Sequence, residues 1–394
     1  MKFKEIKNNI YYCGLNDVNR KYFDELIPLE HGTSYNSYLV IGSEKTAIID
    51  TTYHPKTEEF FNNLNGNNVT KIDYIIANHG EQDHTGALPE MLKKYPDAII
   101  LTNPKCKENI MEMLLVSEDK IRVIADGEEV SLGDKTLKFI YAPWVHWPDT
   151  MFTYLKEDNM LFTCDFLGAH YTFDNIYAEC DDKLYNGAKR YFAEIMMPFS
   201  PMCRKYVQMI REMNPEMLLP SHGPIYKDCK FIVDAYADWA SETGKNLVLI
   251  PYVSMYNSTK EMVDYLNKKL NQKGIQTALY NVVDGDLGEL ATALVDATTI
   301  VIGAPMVLAG PHPMIVGPAY LINVLRPKAQ FISYIGSYGW GGNLFGKLEE
   351  FLSNLRCEPI EPLLVKGKPK KEDFEKLDKL AESIYTKHKE LNLL

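Results

Sequence analysis

Cysteine is scarce and scattered in this chain of 394 residues: seven thiols, at 13, 106, 164, 180, 203, 229 and 357, with no C-x-x-C pair among them. An odd, unspaced set offers no disulfide framework and no thiolate zinc or iron–sulfur centre, so reduced thiols in a cytoplasmic setting are expected. No apolar run approaches the roughly twenty residues of a membrane span, and Met1-Lys2-Phe3-Lys4-Glu5 lacks the apolar stretch of a secretion signal. Positive charge is in deficit: 42 Lys and Arg against 53 Asp and Glu leave a formal charge of −11. That balance argues against nucleic acid or an anionic membrane surface as the main partner. There is no G-K-[ST] phosphate loop and no strand followed by G-x-G-x-x-G, which removes the two commonest nucleotide motifs. Internal repeats and low-complexity segments are absent as well.

What the chain does have is His79-Gly80-Glu81-Gln82-Asp83-His84, directly after the apolar run 72–77. A strand ending in two imidazoles and two carboxylates within six positions delivers four metal-competent side chains to one sheet edge. Three more donors follow similar runs: His146 after 141–144, Asp165 after 160–164 and His222 after 217–220. Taken singly, each has an ordinary explanation. A histidine at a strand end is usually a satisfied polar residue, and Asp83 is placed to cap a helix starting at Thr85-Gly86-Ala87-Leu88. Taken together they point to a cation, because carboxylates and imidazoles gathered at buried strand ends are costly without one. Seven oxygen and nitrogen donors exceed what one ion needs and suit two. Four histidines with three carboxylates favour iron, manganese or zinc.

The segment resembles the metallo-β-lactamase superfamily, whose hydrolases carry H-x-H-x-D-H followed by a later His, Asp and His. Glu81 stands where those hydrolases have their second histidine. An added anionic oxygen stabilises a higher oxidation state, which moves the preference from zinc toward redox-active iron. That substitution marks the flavodiiron proteins, the family that the whole sequence resembles. The resemblance implies two Fe ions per chain, with His79, Glu81 and His146 on one, Asp83, His84 and His222 on the other, and Asp165 bridging. It also suggests His31, His170 and Tyr191 as residues that orient ligands or donate to a bound oxygen species.

A second signal lies further along. The strand-length run 245–253 is followed by Ser254-Met255-Tyr256-Asn257-Ser258-Thr259 and then an amphipathic stretch from Glu261. Strand, hydroxyl-rich turn and helix start form the geometry that holds a phosphate, although such turns mostly serve as helix caps. Strand-like runs recur at 274–280, 298–303, 330–335 and 360–365, with helical patterns at 287–297, 314–326 and 343–354. This alternation predicts a doubly wound parallel sheet with ligands at its carboxyl edge. The turns expected there are Ala304-Pro305-Met306 and Gly336-Ser337-Tyr338-Gly339-Trp340-Gly341-Gly342. The three loops resemble those of a flavodoxin domain binding FMN. Where relatives often carry S-P-T-x-N, this chain has Ala304-Pro305-Met306-Val307-Leu308, with no side-chain hydrogen bonds to offer a flavin.

Two domains are therefore expected: 1–243, a metallo-β-lactamase-like αβ/βα sandwich for the di-iron site, and 244–394, flavodoxin-like and α/β. Strands are expected at 34–42 and 46–51, a hairpin at 151–156 and 160–164 turning at Asp158-Asn159, and helices at 228–240 and 371–391. The family resemblance implies reduction of dioxygen to water or of nitric oxide to nitrous oxide, with electrons passing through FMN to the irons. Flavin and metals on separate domains imply a head-to-tail homodimer or a dimer of dimers. Without a rubredoxin-like pair of C-x-x-C motifs, the electron donor is expected to be separate, such as rubredoxin or a reduced deazaflavin. Lys366, Lys368, Lys370 and Lys371 read as a solvated face, with docking of an acidic donor as the alternative. Two rival readings are a zinc-dependent hydrolase with an appended flavodoxin-like domain, and an electron carrier whose metal domain is a relic.

Overall fold

The computed structural model describes residues 3–394. Its contacts divide the chain into two compact units, one of 1–192 with 199–238, the other of 193–198 with 239–394.

In the first unit two sheets face each other. One runs in the spatial order Lys4–Lys7, Ile10–Tyr12, Tyr38–Ile41, Thr46–Ile49, Tyr74–Ile76, Ile99–Thr102, Ile121–Val123. It is antiparallel up to Thr46–Ile49 and parallel beyond. The other runs Glu129–Ser131, Thr136–Tyr141, Met151–Leu155, Met160–Cys164, Met217–Pro220, with only the last pair parallel. Strand periodicity of two sorts the core. Ile49, Ile76 and Leu101 point between the sheets and meet Phe139, Met151 and Phe162. Their neighbours Ile48, Ile75 and Ile100 point outward, under helices carrying Phe60, Leu64, Met91 and Ile110. Each such aliphatic side chain, fully buried, contributes about 1.5–3 kcal/mol. The expected hairpin forms between Met151–Leu155 and Met160–Cys164, with Asn159 in the left-handed region at φ 51°.

The strand expected at 34–42 is two strands in different sheets. Thr33–Tyr35 pairs with Leu15–Asp17, and Tyr38–Ile41 joins the large sheet. The break falls at Asn36, whose N–H donates to Ser221 O and whose side-chain amide donates to the carbonyls of Pro220 and Gly223. Long-range hydrogen bonds have displaced ladder bonds there.

The second unit is a parallel sheet in the order Gln276–Asn281, Lys245–Tyr252, Ala297–Val307, Phe331–Tyr338, with Glu358–Pro359 and Leu363–Lys366 at the far edge. Numbered along the chain this is 2-1-3-4-5, the flavodoxin-like order, with its switch point between Lys245–Tyr252 and Ala297–Val307. Helices Ser258–Gln272 and Lys371–Glu390 cover the face bearing Val248, Ile250 and Val301. Helices Leu287–Leu294, Pro313–Leu325 and Leu344–Phe351 supply the other layer. Among the described residues, no helix is long and apolar enough to cross a membrane.

Two expected turns are corrected. Ala304-Pro305-Met306 is not a turn: the strand continues to Val307 and folds back onto Gly310–Pro311. The neighbour Lys245–Tyr252 pairs with this strand only as far as Gly303, beyond which the returning arm pairs with it instead and His312 N donates to Pro305 O at 3.2 Å. Likewise Gly336-Ser337-Tyr338 is still strand, paired with Leu364, Val365 and Lys366, and the loop proper is 339–342.

Candidate functional site

Seven side chains converge in the first unit from five places in the chain. His79 and Glu81 lie in the loop after Tyr74–Ile76, and Asp83 and His84 on the short helix Gln82–Thr85. His146 lies between Thr136–Tyr141 and Met151–Leu155, Asp165 just after Met160–Cys164, and His222 just after Met217–Pro220. Asp83 is therefore inside a helical turn rather than capping the next helix, whose N-cap position is Ala87.

Asp165 is at the centre. Its Oδ2 lies 3.2 Å from His146 Nε2 and 3.5 Å from His79 Nε2, while its Oδ1 lies 2.9 Å from His84 Nε2 and 3.3 Å from His222 Nε2. Glu81 Oε2 completes the first set, 3.0 Å from His79 Nε2 and 3.4 Å from His146 Nε2. Asp83 completes the second, 3.2 Å from His84 Nε2 and 3.1 Å from His222 Nε2. One donor atom from each member of either set lies within 4.8 Å of the others, so each set could hold a metal ion.

The donor atoms fit a cation better than they fit one another. Asp83 Oδ1, His84 Nε2 and both oxygens of Asp165 are buried and form no hydrogen bond, despite these short separations. They approach off the donor–acceptor axes, as groups directed at a third atom do. Their electrostatics agree. Burial opposes charge on all of them, yet Asp149 and Glu81 carry His79 well above its ordinary value. Against the same opposition, Asp165 and Glu81 raise His146 to about 9, and Asp165 and Asp83 raise His222 well above normal. Asp165 is held well below the carboxylate range by the surrounding imidazoles, again against burial. The pocket calls for positive charge, which protons supply in the metal-free chain and a metal can replace.

A further layer fixes these side chains. His79 Nδ1 meets Asp149 Oδ1 at 3.2 Å, and Asp149 Oδ2 accepts from Gly80 N at 2.9 Å and Asn109 Nδ2 at 3.0 Å. A Cβ on Gly80 would lie 2.7 Å from that Oδ2, so only glycine permits the contact. His222 Nδ1 donates to Ser34 O at 2.6 Å. Asp50 accepts from Asn78, next to His79, and from Ser221, next to His222. The Trp147 ring stands edge-on to His79 at 4.8 Å. Sequence reading missed Asp149, Asp50 and Trp147. Nothing in Trp147-Pro148-Asp149-Thr150 marks this aspartate, which lies seventy residues from its partner.

Of the three residues suggested for a supporting role, two lie against the site. His170 is 5.1 Å from His222 and 4.9 Å from Tyr191, ring to ring, with Nδ1 on Thr33 Oγ1 at 2.9 Å. Burial, reinforced by the charge of His222, keeps this imidazole neutral. Its Nε2 and the Tyr191 hydroxyl are buried without a hydrogen-bond partner. His31 is different: it is exposed, against Tyr171 and Glu30, and no described contact joins it to the seven donors. A cavity of about 150 Å³, walled by Tyr22, Phe23 and Tyr35, reaches Glu81, Asp83 and His170.

In the second unit the loop Ser254–Asn257 leads into helix Ser258–Gln272, with Asn257 at φ 65°. Ser254 Oγ accepts from Lys260 N at 3.2 Å, and the hydroxyls of Thr259 and Ser337 meet at 3.1 Å, joining the start of this helix to the end of strand Phe331–Tyr338. With Lys260 N taken by Ser254, the N–H groups of Ser258 and Thr259, which have no acceptor four residues back within the helix, are the ones open to an anion. Met255 and Tyr256 are exposed, as are Gly339, Trp340 and Gly341, while Tyr338 is half-buried. Ala304 and Pro305 are buried in the strand, Met306 is half-buried, and Leu308 stands at the exposed tip of the hairpin.

Residues 33–223 match the family model described as ODP family beta lactamase. The chain is 34% identical over 391 residues to a nitric oxide reductase of Moorella thermoacetica, covering 96% of this chain and 97% of that one. It is 32% identical over 374 residues to the anaerobic nitric oxide reductase flavorubredoxin of Salmonella typhi, covering 92% and 78% respectively. Among solved structures, the rubredoxin oxygen:oxidoreductase of Desulfovibrio gigas superposes with a TM-score of 0.94 at 27% identity, over 98% of this chain and 99% of that one. The flavodiiron protein of Giardia intestinalis shares the fold, with a TM-score of 0.90 at 24% identity and 98% of each chain covered.

Proposed function

The chain belongs to the flavodiiron family of oxidoreductases, and from that premise we propose that it reduces dioxygen to water, nitric oxide to nitrous oxide, or both. Two irons would be held by His79, Glu81 and His146 on one side and Asp83, His84 and His222 on the other, with Asp165 shared. The observation that carries this reading is Asp165, whose two oxygens face different ligand sets and form no hydrogen bond of their own. FMN would sit at the loops 254–259, 304–308 and 337–341, so that 1–243 serves as the metal domain and 244–394 as the flavin domain. When bound, iron and flavin would together supply the four electrons that dioxygen needs or the two that a pair of nitric oxides needs.

The chain's own residues do the rest. Glu81 brings anionic charge where a hydrolase brings a neutral imidazole. Asp149 and Ser34 O hold the far nitrogens of His79 and His222, so that each presents Nε2 inward. Phe23 and Tyr35 line an open cavity of about 150 Å³ that reaches Glu81 and Asp83, enough to admit a diatomic gas. His170 and Tyr191 pack beside His222, and the buried, unpartnered His170 Nε2 and Tyr191 hydroxyl would be the polar groups there to hydrogen-bond a small ligand. The electron donor would be separate, a rubredoxin or a reduced deazaflavin. A head-to-tail homodimer, or a dimer of dimers, would bring the flavin of one subunit to the irons of another in the cytoplasm. Sedimentation revealing an active monomer would remove that arrangement.

The zinc hydrolase reading is not favoured, because the relatives matched over nearly the whole chain are named as reductases and oxidoreductases. Purified protein should show flavin absorption, about two irons per chain, and gas consumption with a low-potential reductant. Colourless protein filled with zinc and inert to both gases would end this reading.

A further inference from the structure

Two of the three loops at the carboxyl edge of the parallel sheet interlock through a single glycine. The strand Ala297–Val307 turns at Leu308-Ala309, both in the left-handed region at φ 49° and 61°, and returns as Gly310–Pro311. Met306 faces Pro311 and Val307 faces Gly310 across a two-residue hairpin. The glycine loop lies against this arm. At Gly342, φ is 153°, and a Cβ would stand 2.7 Å from Ala309 O and from Met306 Sδ, and 2.8 Å from Ala309 C. Lys347 Nζ, from helix Leu344–Phe351, donates to the same Ala309 O at 3.4 Å. The hairpin tip is thus contacted by both the glycine loop and that helix. By contrast, a Cβ on Gly339 or Gly341 would meet nothing within 4 Å.

The composition of the hairpin gives this contact its importance. Met306, Val307, Leu308 and Ala309 carry no hydroxyl or amide side chain, so the arm can offer a flavin only its backbone and apolar surface. Backbone donors hold a ligand only if the backbone is itself fixed. We propose that Gly342 is a positioning residue for FMN: by seating the glycine loop on the hairpin arm, it sets the spacing of two flavin-holding loops, in place of side-chain hydrogen bonds. This inference rests on the flavin reading above.

The test is a titration of flavin-free protein with FMN, followed by quenching of flavin fluorescence. Gly342→Ala should weaken binding at least tenfold, with unchanged circular dichroism. Met306→Ala, which keeps the backbone contact, should weaken it about threefold. In the double variant the Gly342→Ala effect should shrink, since the thioether half of the clash is gone. Gly317→Ala, in open space on helix Pro313–Leu325, should bind within twofold of wild type. Folded Gly342→Ala binding within twofold of wild type would overturn the proposal. Should that variant not fold, Lys347→Met decides instead: threefold weaker binding supports the interlock, and binding within twofold overturns it. Wild-type protein that quenches no FMN would instead count against the flavin reading itself.

Discussion

His79 and Asp149 meet at 3.2 Å with both side chains sealed from solvent, and this pair determines where the second nitrogen of His79 points. With Nδ1 turned to Asp149, Nε2 is left facing Glu81 and Asp165. Asp149→Asn removes the charge that anchors the imidazole while keeping its shape. Iron affinity at the His79 side should fall about 10–100-fold, read by competition with a chelator. Unchanged occupancy would show that His79 is oriented by packing alone.

Glu81→His restores the neutral donor of the hydrolase pattern. Protein produced with equal iron and zinc should shift from mainly iron to mainly zinc, measured by elemental analysis, with loss of gas reduction. A variant that retains iron would mean that Glu81 does not set the metal preference.

The site also predicts a pH dependence. In the metal-free chain His146 is raised to about 9, since Asp165 and Glu81 outweigh its burial. Its contribution to stability is complete below the ordinary imidazole value of about 6.5 and lost as pH rises through about 9. Glu81 and Asp165 are depressed, so theirs is present above about 4 and lost as pH falls through their folded values. Metal-free protein should therefore melt at a lower temperature at pH 9 than at pH 6. Metal affinity should run the other way, rising over that range as imidazolium protons are removed. Calorimetry of metal-free protein that melts higher at pH 9 would contradict this assignment.

Leu115 follows helix Pro104–Leu114 with φ 55° and is almost fully exposed. A left-handed leucine costs roughly 1–2 kcal/mol that glycine does not incur. Part of that gain is lost to the greater freedom of an unfolded glycine. Leu115→Gly should still raise stability by about 0.5–1 kcal/mol, visible in denaturant unfolding. A lower midpoint would show that the side chain has a contact in solution.

Much of the candidate site was legible because its residue types are unusual where they stand. Carboxylates and imidazoles after the apolar runs 72–77, 160–164 and 217–220 are ordinary one by one, but with His146, as a set of seven, they are costly without a cation. The donors' partners were not legible. Asp149, Asp50 and Ser34 look like any loop or strand polar residue until the fold brings His79, Asn78 and His222 beside them. Pro305 misled for a related reason: a proline normally marks a turn, and only the fold shows the strand running through it, paired with Phe331–Tyr338 on one side and leading into the hairpin arm Gly310–Pro311.

By itself the sequence determined the class of chemistry, since hydrophobic periodicity and ligand type are local properties written residue by residue. Ile75 and Ile76 announce two faces of a strand without knowing what covers either. The tertiary structure alone decided direction: which oxygen of Asp165 faces which imidazoles, which nitrogen of His79 turns inward, and which glycine must have no side chain. Those are relations between segments far apart in the chain, fixed by close packing and hydrogen bonds that exist only once the two sheets have met.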